Sequence, residues 1–245
     1  MTSELVIVFG AITVAYFVKG VVGMGGPLLA IPVIASVTDV EHAVVVLSLA
    51  NLVANGWLLW EHRAGAAGTG FVLVPFLTVG TIATVAGTWL LTEIDDRFLS
   101  VLVAAVIVLY IVSYLNDSEF RLDRHDARRW AAPVGLVGGT LTGATGTGGP
   151  LIATYLHSVR FSRSSFILAL SLTFQIFGVI QIATLVWLDA FTAERTVQAL
   201  WAIVPVVAMT PIGIMLGRRL SQRWFEFLVL GLLAFAAVRL VISAL

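Results

Sequence analysis

The sequence contains no cysteine, which excludes disulfide bridges, thiolate metal sites and thiol redox chemistry. It also has little charge, because only 11% of its residues are Asp, Glu, Lys or Arg, against about 25% in an ordinary soluble domain. With 59% hydrophobic residues and a mean hydropathy of +1.02, the chain cannot cover a soluble surface with charge. The composition therefore predicts a membrane protein, and its net charge of zero gives no reason to expect a nucleic-acid partner.

The sequence also lacks the signatures of an enzyme or a metal centre. It contains no G-x-S-x-G and no H-E-x-x-H motif, and no carboxylate lies deep inside an apolar run. We therefore expect no catalytic residue, no metal and no cofactor. Acids in the membrane interior are also the usual proton relays, so the sequence leaves open whether a proton moves with a ligand.

Long apolar runs recur along the chain and are continuous rather than alternating, which favours membrane helices over a β-barrel. Ten helical elements are predicted. They cover residues 5–22, 27–37, 41–60, 71–91, 98–115, 130–142, 150–159, 164–188, 196–216 and 224–245. The longest polar stretch, residues 116–129, is predicted to be a connector between two halves.

The two halves repeat each other. Seven of eleven positions are identical when GVVGMGGPLLA at 20–30 is aligned with GATGTGGPLIA at 143–153. Each half has five elements, an odd number, so the second half must enter the membrane from the opposite side. We expect an all-α polytopic membrane protein built from two inverted repeats, residues 1–115 and 130–245. Each repeat begins with a glycine-broken, re-entrant helical hairpin.

The arginines favour one orientation. If the N-terminus is outside, ten arginines fall in inner loops and two in outer loops, as the positive-inside rule requires. We therefore predict that both termini are outside and that the connector is cytoplasmic.

The two glycine-rich breaks carry the candidate site. Gly26-Pro27 and Gly149-Pro150 are typical of helix starts, because proline is favoured at the first helical position. Each start presents unpaired N–H groups and the positive end of a helix dipole, and nearby glycines let a ligand approach the backbone. Two such starts facing each other suit a small anion. The alternative explanation is that the glycines only allow close helix packing.

Polar residues inside the apolar runs extend the candidate site. Ser48 and Asn51 share one helix face, as do Ser171 and Gln175, and they either bind a substrate or join neighbouring helices. Lys19, the only lysine, either neutralises an anion beside the first break or extends to the inner membrane surface. The candidate substrate-binding residues are Lys19, Gly25, Gly26, Pro27, Ser48, Asn51, Thr145, Thr147, Gly148, Gly149, Pro150, Ser171 and Gln175.

The two motifs resemble those of the sulfite exporter TauE/SafE family, also called the sulfonate-uptake permease family. The resembling residues are GVVGMGGPL at 20–28 with Pro32, and GATGTGGP at 143–150. The length, duplicated halves and polar connector also resemble that family, so the resemblance covers nearly the whole chain. It implies a plasma-membrane carrier for a small anion such as sulfite or a sulfonate.

We therefore expect a secondary transporter that moves a small anion by alternating access. An anion channel of the same fold and a non-transporting membrane scaffold are the alternatives. The expected partners are the anionic substrate and the lipid bilayer, and the sequence leaves homo-oligomer formation open.

Overall fold

The computed structural model describes residues 2–22, 25–63, 70–115, 122–159 and 161–217. Within these residues the chain forms nine α-helices and no strand. The helices are α1 (Thr2–Val22), α2 (Gly26–Ala35), α3 (Val40–Glu61), α4 (Gly70–Glu93), α5 (Asp96–Leu115), α6 (Arg124–Thr145), α7 (Gly149–Ser158), α8 (Arg163–Trp187) and α9 (Ala193–Gly217). The tenth predicted element, residues 224–245, lies outside the described residues.

Five of the described helices, α1, α3, α4, α8 and α9, are long and apolar enough to cross a membrane. The two helices that follow the glycine breaks, α2 and α7, have only 10 residues each. At a rise of 1.5 Å per residue they extend about 15 Å, half of a hydrocarbon core of about 30 Å. The expected short elements after each break are therefore present in the fold.

The predicted start of the sixth element, at residue 130, is wrong. Helix α6 begins at Arg124, because the Asp123 carboxylate accepts a hydrogen bond from the Asp126 N–H at 2.8 Å and caps the first turn. It ends where Gly146, at φ 65°, donates its N–H to the Thr142 carbonyl. With 22 residues, α6 extends about 33 Å, but its first turns are charged and it is not among the five described helices that are long and apolar enough to cross a membrane.

The two halves of the chain pack against each other in matched pairs. Helix α1 packs on α9 and α6 packs on α4, so the first element of each half contacts the fourth element of the other. Helices α3 and α8, the third elements, contact each other, and the α3–α9 contact has its counterpart in α4–α8. Because α3 and α8 also contact α2 and α7, this pairing places both glycine breaks beside the central helices.

Glycines allow the α4–α6 and α1–α9 backbones to touch. A Cβ atom on Gly139 would lie 2.2 Å from the Gly80 carbonyl oxygen, and one on Gly143 would lie 2.4 Å from that of Thr84. On the other side, a Cβ on Gly20 would lie 2.3 Å from the Thr210 carbonyl oxygen. The first glycine of each repeated motif therefore serves close helix packing, whereas the later glycines lie at the breaks.

Candidate functional site

A cavity lies between the two glycine breaks and the middle of α3 and α8. The volume of the cavity is about 40 Å³, enough for about three water molecules. Residues from both halves of the chain line it. They are Lys19, Gly25, Pro27, Leu28, Ile31, Val44, Leu47, Ser48, Asn51, Thr142, Gly146, Thr147, Gly149, Pro150, Phe174, Gly178 and Gln181.

Both short helices begin at this cavity. Gly25 precedes α2 in the left-handed conformation, at φ 100°, which favours glycine. Pro27 and Pro150 occupy first-turn positions, and no side chain of the described residues caps either helix start. The first N–H groups of α2 and α7 are therefore left without side-chain acceptors at the edge of one cavity.

Lys19 lies at the same edge, in the last turn of α1. Its side chain is buried, at 2% exposure, and its Nζ donates to Asn51 Oδ1 at 2.6 Å and to Asn55 Oδ1 at 2.7 Å. The Tyr16 ring centroid is 5.6 Å from Nζ. In the described part of the chain no carboxylate lies within ion-pair distance of this ammonium. Of the two expectations for Lys19, the structure places it beside the first break and away from the surface.

The second break is held by hydroxyl and amide groups. The Thr145 and Thr147 hydroxyl oxygens are 2.6 Å apart, and Thr147 lines the cavity while Thr145 lies behind it. Gln181 Nε2 donates to the carbonyl oxygens of Thr142 and Gly143 at 2.9 and 3.0 Å. The bond to Gly143 occupies a carbonyl group that the end of α6 would otherwise leave unpaired, whereas the Thr142 carbonyl also accepts the Gly146 N–H.

Eight of the thirteen candidate residues line the cavity, and five do not. The eight are Lys19, Gly25, Pro27, Ser48, Asn51, Thr147, Gly149 and Pro150. The other five are Gly26, Thr145, Gly148, Ser171 and Gln175.

The glycines outside the lining have packing contacts instead. A Cβ on Gly148 would lie 2.2 Å from Thr142 Oγ1, and Gly26 faces the Lys19 and Tyr16 side chains. Ser171 Oγ and Gln175 Oε1 are buried and have no hydrogen-bond partner among the described residues.

Several lining residues are absent from the candidate set. Gln181 and Thr142 were visible in the sequence as polar residues within apolar runs. Asn55, which holds Lys19 but does not line the cavity, follows Asn51 by one helical turn. The apolar lining residues, such as Leu47 and Phe174, have no sequence feature that distinguishes them from core residues.

A polar cluster joins the beginnings of α3 and α9. The Arg195 guanidinium donates to the Glu41 carboxylate and lies 3.8 Å from that of Asp39. Beside it, His42 Nε2 and Gln198 Oε1 are 2.8 Å apart. Glu41 precedes the cavity-lining Val44 by three residues, on the same face of α3. The cluster therefore lies one turn from the cavity, toward the start of α3.

In the described part of the chain, one group of side chains has metal-ligand chemistry. Ligand atoms of Asp123, His125 and Asp126 lie within 4.8 Å of one another at the start of α6. The Asp123 carboxylate already accepts the Asp126 N–H as a helix cap, which explains the cluster without an ion.

Comparisons of the chain with curated proteins and with solved structures give no match. A family model, Sulfite exporter TauE/SafE, matches residues 8–240. The match reaches all nine described helices and includes both glycine breaks. The chain belongs to the sulfite exporter TauE/SafE family and is a multi-pass membrane transporter.

Proposed function

We propose that this protein is a secondary transporter that binds a small anion, such as sulfite, a sulfonate or a similar organic anion, in the cavity between the glycine breaks. The observation that carries the proposal is the meeting of two uncapped helix starts with a buried lysine at one cavity. Helix starts bind anions through their N–H groups, and Lys19 adds a positive charge when it is protonated.

Asn51 supplies a further donor to such an anion. The Lys19 ammonium has three donors and no acceptor, so the Asn51 amide must turn its oxygen toward Nζ. This leaves the Asn51 NH₂ group to donate on the cavity side. The Ser48 hydroxyl donates to the Val45 carbonyl at 2.7 Å. Its lone pairs point away from that bond and are free to accept a hydrogen bond from a protonated oxygen of the ligand.

The packing of the two halves supports alternating access. Matched contacts between α1 and α9 and between α6 and α4 support two repeats related by symmetry, and the five elements expected in each half make the second repeat an inverted copy of the first. With both termini outside, as proposed from the arginines, the cluster of Arg195 and Glu41 closes the cavity on the outer side of the plasma membrane. Transport then requires that cluster to open while packing tightens at the opposite end.

Flux into proteoliposomes tests this function and its alternatives. Labelled sulfite and methanesulfonate should enter at rates that saturate with concentration. Rates that rise linearly without saturation would favour the channel, and an absence of flux with every anion would favour the scaffold.

Gly149→Ala tests the location of the site. A Cβ there meets only Phe174, at 3.5 Å, which is an ordinary contact, so the variant should fold while its methyl group narrows the cavity. We expect a raised KM for the anion. Gly56→Ala is the matched control, because a Cβ on Gly56 meets nothing within 4 Å. Equal KM values for the two variants would show that the anion binds elsewhere.

A further inference from the structure

We infer that the site selects singly charged anions, and that Asn55 is a positioning residue that holds the Lys19 charge in place without neutralising it. The inference rests on the proposed function. It concerns the charge of the substrate and the role of a residue that does not line the cavity.

The neighbours of Lys19 are unusual for a buried ammonium. Buried charges in proteins are normally paired with an opposite charge, yet Nζ is held by the neutral amide oxygens of Asn51 and Asn55. Asn55 Nδ2 is buried and has no hydrogen-bond partner among the described residues. An aspartate at position 55 would pair with Lys19 and leave no unpaired donor. The amide therefore costs stability and leaves the positive charge uncompensated.

The helix ends add little net charge. Helix α2 begins at Gly26, four residues after α1 ends at Val22, and α7 begins at Gly149, four residues after α6 ends at Thr145. The positive end of each short helix therefore lies close to the negative end of the helix before it, and their partial charges largely offset each other. The helix starts supply directed N–H groups, while the net charge comes from Lys19.

Among the described residues, the rest of the cavity lining contains no Asp, Glu, Arg or His. One bound negative charge therefore gives a neutral complex, whereas a second would stay uncompensated in a region of low dielectric constant. A sulfonate or hydrogensulfite fits this balance, and sulfate or fully ionised sulfite does not.

A pair of tetrahedral anions of similar size tests the selectivity. We expect saturable uptake of methanesulfonate by the wild-type protein in proteoliposomes, with sulfate a poor competitor. Sulfate that competes as well as unlabelled methanesulfonate would overturn the inference but leave the proposed function standing. Absence of any anion flux would instead contradict the proposed function itself.

Asn55→Asp tests the positioning role. The new carboxylate should pair with Lys19, so the KM for methanesulfonate should rise more than about tenfold because the attraction in a low dielectric is lost. The thermal stability should stay the same or increase, since the buried Lys19 ammonium gains a charged partner. If Asn55 had only a structural role, Asn55→Asp would instead lower the thermal stability and leave KM unchanged.

Two further variants complete the test. Asn51→Asp places the same charge on the other side of Lys19 and should raise KM in the same way, even if Asn55→Asp fails to fold. Ser162→Asp is the matched control, because an aspartate can replace Ser162 as the cap that accepts the Ser165 N–H, and Ser162 does not line the cavity. If the control raises KM as much as the asparagine variants, the effect is one of overall charge and the inference fails.

Discussion

Gly139→Ala should separate α4 from α6. The added Cβ would lie 2.2 Å from the Gly80 carbonyl oxygen and 2.9 Å from its carbonyl carbon, all rigid backbone. Since ordinary contacts begin at 3.4 Å, the helices must move apart by about 1 Å. Overpacking of this kind costs about 1–3 kcal/mol, and the higher helix propensity of alanine returns up to about 1 kcal/mol. Gly135 and Gly143, one turn to either side, share the same backbone contact with α4, so their packing loosens too.

The free energy of unfolding in mixed micelles measures this effect. We expect Gly139→Ala to lose about 1–2 kcal/mol. Gly10→Ala in α1 is the matched control, because a Cβ there meets nothing within 4 Å, and it should be neutral or slightly stabilising. If both variants are equally stable, α4 and α6 do not touch along their backbones and the packing described above is wrong.

Three further predictions concern single interactions. Because the chain has no native cysteine, Ser48→Cys places a single thiol in the cavity that reports access. Adding Arg195→Gln should increase the rate at which an impermeant reagent labels this thiol several-fold. Equal labelling rates would show that Arg195 does not close the cavity. Gln181→Leu should lower stability by about 1–3 kcal/mol by leaving the Gly143 carbonyl unpaired, and an unchanged unfolding free energy would contradict those hydrogen bonds. Tyr155→Phe should lower the free energy of unfolding by a similar amount, because the buried Tyr155 hydroxyl donates to the Ala127 carbonyl. An unchanged free energy of unfolding would show that this hydrogen bond does not stabilise the protein.

The sequence predicts the helices well where their signal is local. Eight of the nine described helices have predicted ends within three residues of the observed ones, because apolar runs and Gly-Pro pairs mark where they begin and end. The start of α6 was missed because its first two turns are rich in arginine and carry no apolar signal. The spacing of Asp123 and Asp126 was the only indication, since an aspartate is a favoured helix cap.

The candidate site is harder to predict because it depends on tertiary contacts. Proline after glycine identifies the two helix starts from local rules alone. Whether Lys19 meets Asn51 depends on how α1 and α3 pack, and no local pattern determines that. Gly148 belongs to the same motif as Gly149, yet it packs against Thr142, because successive residues at a helix start point in different directions.

Ser171 and Gln175 entered the candidate set as polar residues on one face of an apolar helix, and Ser171 also because it aligns with Ser48. Other aligned positions in the two halves do not have the same chemistry. At the offset of 123 residues, Lys19 aligns with Thr142, Asn51 with Phe174 and Asn55 with Gly178.

Five of these six residues, all except Asn55, line the same cavity. The half that holds α1 and α3 supplies a cation and amides, and the half that holds α6 and α8 supplies a hydroxyl, an aromatic ring and a glycine. Polar and apolar residues line the cavity on both sides, but among the described lining residues only the half that holds α1 and α3 supplies a cation, Lys19. The repeated backbone therefore supplies two similar helix starts, whereas a difference between aligned side chains places the cation on one side of the cavity.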